Sequence, residues 1–180
     1  MNKKLKIGLC ATMSCGKTTL IKALSQLPQF QDYFVATERS QYLRDLGIPL
    51  NTDSTIKGQM IFGAERASEL MRDSLLTDRT IIDVISFTNL STSISSSQKD
   101  RFESLFIDLI SEYDYIFYIS PEGLPIEDNG VREIDPKYRL QIDQEIQTLL
   151  RVYKSSIKNY KQISGSTEER NKQILETISF

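Results

Sequence analysis

At 180 residues the chain is long enough to bury a core without staples, and it reads as one domain spanning 1–180. A net charge of −2 and a pI near 5.3 are at odds with a protein that lives on nucleic acid, where a basic face is needed. The chain has no histidine, so any general base must be a carboxylate, unless the reaction needs none.

Cys10 and Cys15 are too few for a disulfide framework and fit a reduced, cytoplasmic setting. The first apolar run, residues 4–10, is too short for a signal sequence or a membrane span and reads as a buried strand. It leads into Ala11-Thr12-Met13-Ser14-Cys15-Gly16-Lys17-Thr18, nearly the phosphate-gripping loop of a nucleotide-binding protein. A helix over 17–27 follows, with Leu20, Ile21, Leu24 and Leu27 at helical spacing and Pro28 as its stop. In that setting the segment from Thr12 to Thr19 cradles triphosphate oxygens with backbone amides and the positive end of the helix. Lys17 then reaches the β- and γ-phosphates and the Thr18 hydroxyl holds Mg²⁺, so ATP and Mg²⁺ are the expected ligands. Ala11 stands where glycine is usual, which works only if its φ stays negative. Cys15 among the phosphate-binding amides predicts that nucleotide shields it from alkylation.

Tyr33-Phe34-Val35-Ala36 reads as a second strand ending at Thr37-Glu38-Arg39. Residues 51–76 look helical after a capping signal at Asp53 or Ser54. The apolar run Thr80-Ile81-Ile82-Asp83-Val84-Ile85 is expected to be a buried parallel strand, followed by a mobile Ser/Thr-rich loop over 86–97. An amphipathic helix over 98–113 turns Phe102, Leu105, Phe106, Leu109 and Ile110 inward, and 115–119 is a fourth strand stopped by Ser120-Pro121. A Pro- and Gly-bearing segment precedes a long helix with Ile142, Ile146, Leu149, Tyr153 and Ile157 on one face. Residues 160–163 form a last strand, and 166–169 are a capping box opening the terminal helix.

Strands alternating with helices predict an α/β, doubly wound, five-stranded parallel sheet, whose ligands gather at the carboxyl ends of the strands. Those ends carry the phosphate loop, Glu38, Asp83 to Ser86, and Ser120-Pro121.

With these features the chain resembles the small P-loop nucleoside and nucleotide kinases, closest to the ribosylnicotinamide-kinase-like branch and more distantly thymidylate kinase. The resemblance rests on the loop, on Glu38, on Ile61-Phe62-Gly63-Ala64-Glu65-Arg66, and on Asp83 as a Walker-B-type aspartate. Its most specific part is Pro125-Ile126-Glu127-Asp128-Asn129-Gly130-Val131-Arg132 with Arg139 beyond it, similar to the branch's lid, here about 122–139. One departure stands out. Val84 follows Asp83 where relatives carry arginine, and the nearest Asp-Arg pair, Asp78-Arg79, precedes the expected strand.

The resemblance implies an ATP-dependent phosphotransferase acting on a nucleoside or a nucleoside monophosphate, with Thr18 and Asp83 on the metal. Lys17, Glu38, Asp83, Arg132 and Arg139 are the expected catalytic residues: Glu38 orients or deprotonates the acceptor, and the lid arginines stabilise the transferring phosphoryl group. Glu38, Arg39, Arg66 and Phe87 are the expected acceptor contacts, with Phe87 available for base stacking. A hydroxyl acceptor needs a base, whereas a phosphate acceptor needs arginines, and the chain supplies both. A non-kinase P-loop ATPase and a kinase acting within DNA or RNA are the competing readings. A homodimer is compatible with the sequence.

Overall fold

In the computed structural model, residues 4–125 and 135–178 are described. Five strands, β1 (Lys6–Cys10), β2 (Phe34–Ala36), β3 (Leu75–Thr77), β4 (Tyr115–Ile119) and β5 (Tyr160–Ile163), form one sheet in the order β2-β3-β1-β4-β5. All four strand pairings are parallel, as expected of strands joined by helical crossovers. Alternate side chains of the sheet enter two cores. Ile7, Leu9, Phe117 and Ile119 face one side, packed with helices α1 (Lys17–Ser25) and α7 (Thr167–Thr177). Cys10, Ile116 and Tyr118 face the other, under α3 (Ile56–Leu70), α4 (Ile81–Leu90), α5 (Ser96–Phe106) and α6 (Pro136–Val152). A short helix, α2 (Ser40–Asp45), follows β2. No helix among the described residues is long and apolar enough to cross a membrane.

The expected strand over 80–85 is a helix. The third strand lies earlier, at β3, and the helix expected over 51–76 ends at Leu70. α4 runs through the apolar stretch, and every residue from Ile81 to Thr88 is buried. A helix that is apolar on all sides reads like a buried strand, because no periodicity separates the two. Thr80 caps this helix in a reciprocal box with Asp83, and that local pairing commits the segment to helix. The Ser/Thr-rich loop expected over 86–97 is largely absorbed as well. Ser86 and Thr88 are buried within α4, their hydroxyls donating to the carbonyls of Ile82 and Val84 at 2.8 and 2.9 Å. Leu105, expected inward, is 60% exposed: α5 turns only Phe102 and Phe106 into the core, and a 3-10 segment, Ile107–Glu112, follows it toward β4.

Gly8 in β1 is required by close approach. A Cβ there would lie 2.5 Å from Thr80 Cγ2 and 3.1 Å from the Tyr113 ring, so the cap of α4 rests directly on the central strand. β1 thereby becomes the pivot of the sheet, and the loop that leaves its carboxyl end sits where the winding reverses.

Candidate active site

The loop between β1 and α1 adopts the cradle that its sequence predicts. Ser14 at φ +56° and Gly16 at φ +74° are left-handed, which turns successive amides into one concavity at the start of α1. Among the described residues the only left-handed non-glycines are Ser14 and Asn51, so Ala11 meets its condition. The Lys17 ammonium donates to the carbonyls of Ala11 at 2.5 Å and Thr12 at 2.8 Å, folding back along the loop.

The loop is held from behind by two arginines. Arg139 of α6 is 7% exposed and donates through Nε to Met13 O at 3.2 Å, through Nη2 to Ser14 O at 3.3 Å, and through Nη1 to Leu124 O at 2.6 Å. Arg170 of α7 donates to Cys15 O at 2.9 Å. Guanidinium groups thus hold the carbonyls of Met13, Ser14 and Cys15 in succession. Arg139, expected on the lid as a catalytic arginine, is in this structure a brace of the loop. Arg170 was not singled out from the sequence, and nothing in its local pattern marks a helix arginine that reaches back to Cys15. Arg132, the other expected lid arginine, lies outside the described residues.

Asp78 and Arg79 follow β3 directly, so the Asp-Arg pair sits at the carboxyl end of the strand after all. Asp78 is 1% exposed; its Oδ2 accepts from the Thr18 hydroxyl at 2.5 Å and its Oδ1 from the Glu38 amide at 2.8 Å. Burial pushes its carboxyl above the usual range, and the Thr18 hydrogen bond and the Lys17 charge offset this only in part. Asp83 is elsewhere. It is fully buried at the start of α4, accepting from Ala11 N at 3.1 Å, Thr80 N at 2.9 Å and Thr80 Oγ1 at 2.7 Å. Both its oxygens are thus occupied in tying helix to loop, with Lys17 Nζ at 3.8 Å. The carboxylate beside Thr18 is Asp78, not Asp83.

A cleft of about 230 Å³ opens over the loop, lined from Met13 through Thr19 and by Glu38, Ser40, Gln41, Asn51, Arg79 and Phe87. Thr12, expected in the cradle, is fully buried with its hydroxyl donating to Arg139 O at 3.3 Å. A smaller recess shares Ser40, Asn51, Arg79 and Phe87 with the cleft and adds Leu50, Gln59 and Phe62. Glu38 Oε2 accepts from Arg79 Nη2 at 2.7 Å, and the guanidinium carbon of Arg79 stands 4.9 Å over the Phe87 ring. Buried Arg79 Nε meets no hydrogen-bond partner. Gln59, only 3% exposed, lines this recess from α3. Glu38 and Phe87 thus both line the cleft. Gln59 was missed, although it sits just before the motif that carried the resemblance.

Arg39 and Arg66 are not in the cleft. Arg39 pairs with Glu65 at 3.5 Å and covers the Tyr42 ring at 4.4 Å, beside a separate groove along β2 and α3. Arg66 is 1% exposed and pairs inside the fold with Glu69, because its register on α3 turns it toward the sheet.

Cys15 is also more enclosed than expected: 2% exposed, with Sγ 3.5 Å from Met13 O and 3.8 Å from Arg139 Nη2. Alkylation therefore requires the loop to open. Mass spectrometry is expected to show slow modification of Cys15 in the native protein and a further slowing with MgATP. Fully buried Cys10 serves as the internal control, and equal rates with and without nucleotide would overturn the loop's role.

A family model described as an AAA domain matches residues 6–170. No curated protein sequence matches the chain. Among solved structures, deoxyadenosine kinase from M. mycoides with bound dCTP is similar at a TM-score of 0.67 and 15% identity, covering 96% of this chain and 97% of that one. NadR protein in complex with NR is similar at 0.74 and 13%, covering 97% of this chain and 50% of that one. NadR in complex with NAD and AMP-PNP gives 0.72 and 13%, with 97% and 48% coverage. The chain thus spans about half the length of NadR and nearly all of the deoxyadenosine kinase. At these identities the likeness is one of fold, a P-loop kinase fold with a five-stranded parallel sheet.

Proposed function

We propose that the chain, which belongs to the AAA domain family by its match over residues 6–170, is an ATP-dependent kinase that phosphorylates a nucleoside hydroxyl. The observation that carries this reading is a cleft with the phosphate loop at one end and the Glu38–Arg79 pair and Phe87 at the other, adjoined by a recess that shares Arg79 and Phe87 and adds Gln59. The ends differ in chemistry. The loop end offers amides, Lys17 and the Thr18 hydroxyl to a triphosphate. The far end offers an aromatic face, an amide with a donor and an acceptor, and a carboxylate, which suit a base and a sugar hydroxyl.

Thr18 Oγ1 and Asp78 Oδ2 are adjacent hard oxygen donors, the set that Mg²⁺ takes alongside phosphate oxygens, and they are the residues that would hold it. When bound, the ion neutralises charge on the bridging phosphates. Glu38 takes or orients the acceptor proton, and Arg79 fixes the Glu38 carboxylate. Arg132 is assigned to the transferring phosphoryl group on the strength of the lid resemblance alone. Among the described residues Arg79 is the one cation at the acceptor end, and Glu38 already neutralises it. A monophosphate acceptor would need more positive charge than that, which favours a hydroxyl.

The test is a panel: ATP and Mg²⁺ with the four deoxynucleosides, ribonucleosides including ribosylnicotinamide, and their monophosphates, with Lys17→Ala as the blank. A new phosphate on a nucleoside is the expected product. Hydrolysis of ATP with no phosphorylated acceptor would instead support a non-kinase ATPase.

A further inference from the structure

We infer that the Ser/Thr-rich segment after α4 is a hydroxyl clamp that positions Asn51 as an acceptor-contacting residue; this rests on the acceptor reading above. Asn51 lines both the main cleft and the recess behind it, and it opens a 3-10 turn, Asn51–Asp53, from a left-handed conformation at φ +56°. Few residues other than glycine hold that conformation readily, asparagine being one, and a loop so short needs an external hold to keep it. The hold comes from the residues just beyond α4. Ser91 Oγ donates to Ser54 O at 2.6 Å, Ser93 Oγ to the same carbonyl at 2.7 Å, and Thr92 uses its amide and its hydroxyl on Thr52 O, both at 3.0 Å. Four donors from three consecutive residues thus hold the carbonyls of Thr52, Asp53 and Ser54.

The connection runs through one rigid element. α4 carries Asp83 under the phosphate loop, Phe87 in the cleft and Ser91 at its carboxyl cap. A clamp anchored on that helix fixes Asn51 in the same frame as the phosphate loop and the aromatic face. This accounts for a polar segment whose composition alone predicts mobility. Asn51 is the binding residue in this arrangement, and Ser91 and Ser93 are positioning residues that need not touch the acceptor.

The experiment compares wild type, Ser91→Ala/Ser93→Ala, Ser93→Thr and Asn51→Gly, the last keeping the left-handed backbone while removing the amide. Hydrogen exchange is read over 50–55 and over the phosphate loop. Steady-state kinetics use deoxyadenosine, or the panel nucleoside that wild type turns over fastest. The double variant is expected to speed exchange in 50–55 with the phosphate loop unchanged, and to raise KM for the nucleoside about tenfold, as loss of one or two hydrogen bonds implies. KM for ATP should move less than twofold. Asn51→Gly should raise the nucleoside KM alike with exchange unaltered, and exposed Ser93→Thr, which keeps its hydroxyl, should behave as wild type. Unchanged exchange in the double variant overturns the clamp. Faster exchange with an unchanged nucleoside KM, or an Asn51→Gly enzyme with wild-type KM, overturns the positioning of Asn51. Wild type that phosphorylates no nucleoside overturns the functional reading, and the proposal falls with it.

Discussion

Asp78→Asn is expected to lower kcat/KM for MgATP by about 10²–10³-fold, the scale of several kcal/mol for charge stabilisation by a held metal ion. The fold should stay intact. The asparagine side chain keeps an oxygen for the Glu38 amide, now at 2.8 Å, and gains an amide that donates to the Thr18 hydroxyl in place of the bond it loses. The pH profile gives an independent check. Burial raises the Asp78 carboxyl, and the carboxylate must be ionised to serve the metal, so the acid limb of kcat/KM should lie above the ordinary carboxylate range. The variant should lack that limb. Stability moves the other way. A carboxyl whose folded pKa is raised supports the fold fully below its unfolded pKa, about 3.9, and this support is lost as pH rises through the folded value. At neutral pH the asparagine enzyme should therefore melt no lower than wild type.

Asp83 predicts the opposite pattern. Asp83→Ala leaves Ala11 N, Thr80 N and Thr80 Oγ1 without their acceptor in a fully buried place and removes the reciprocal cap of α4. A cost of about 3 kcal/mol follows from one cap and one or two unsatisfied donors. Thermal denaturation should show a fall of about 6–12 °C for a chain of this size. If Asp83→Ala kept wild-type melting and Asp78→Asn kept wild-type turnover, the exchange of roles between the two carboxylates would be wrong.

That exchange marks where the sequence stops being legible. The phosphate loop was readable because its motif, its strand and its helix are contiguous, and local chemistry fixes all three. Four of the five strands and the capping box at Ser166 were readable for the same reason. β3 was not, because Leu75-Leu76-Thr77 is too short to stand out beside the longer apolar run of α4. The difference carries over to the site: placing the strand a few residues late puts Asp83 where the structure has Asp78 beside Thr18, and leaves Arg79 out of the cleft that it lines. Arg66 failed differently. The resemblance of residues 61–66 to the kinase helix implied an acceptor contact, but helix register is set by the whole face of α3, and that face buries Arg66 against Glu69. Contacts between distant segments, such as Arg139 on Met13 or Ser91 on Ser54, carry no sequence signature and come only from the fold.

Glu38→Gln provides the sharpest test of the acceptor. Glutamine keeps the shape and a hydrogen bond to Arg79 but cannot take a proton. With a hydroxyl acceptor, kcat should fall by about 10²–10⁴-fold, the usual contribution of a general base, while KM for ATP stays near wild type. A phosphate acceptor is already a nucleophile, so the same change should cost less than about tenfold in kcat and Arg79 should carry the larger effect. Arg79→Lys separates the cases further. Lysine retains the charge but loses the guanidinium that donates to Glu38 at 2.7 Å and stands over Phe87. For a hydroxyl acceptor, Arg79→Lys should act through Glu38, so that Glu38→Gln and Arg79→Lys combined cost little more than Glu38→Gln alone. For a phosphate acceptor the two losses should multiply. Measured on the nucleoside that the enzyme turns over, multiplicative losses with a mild Glu38→Gln effect would reject the nucleoside hydroxyl and point to a monophosphate in its place.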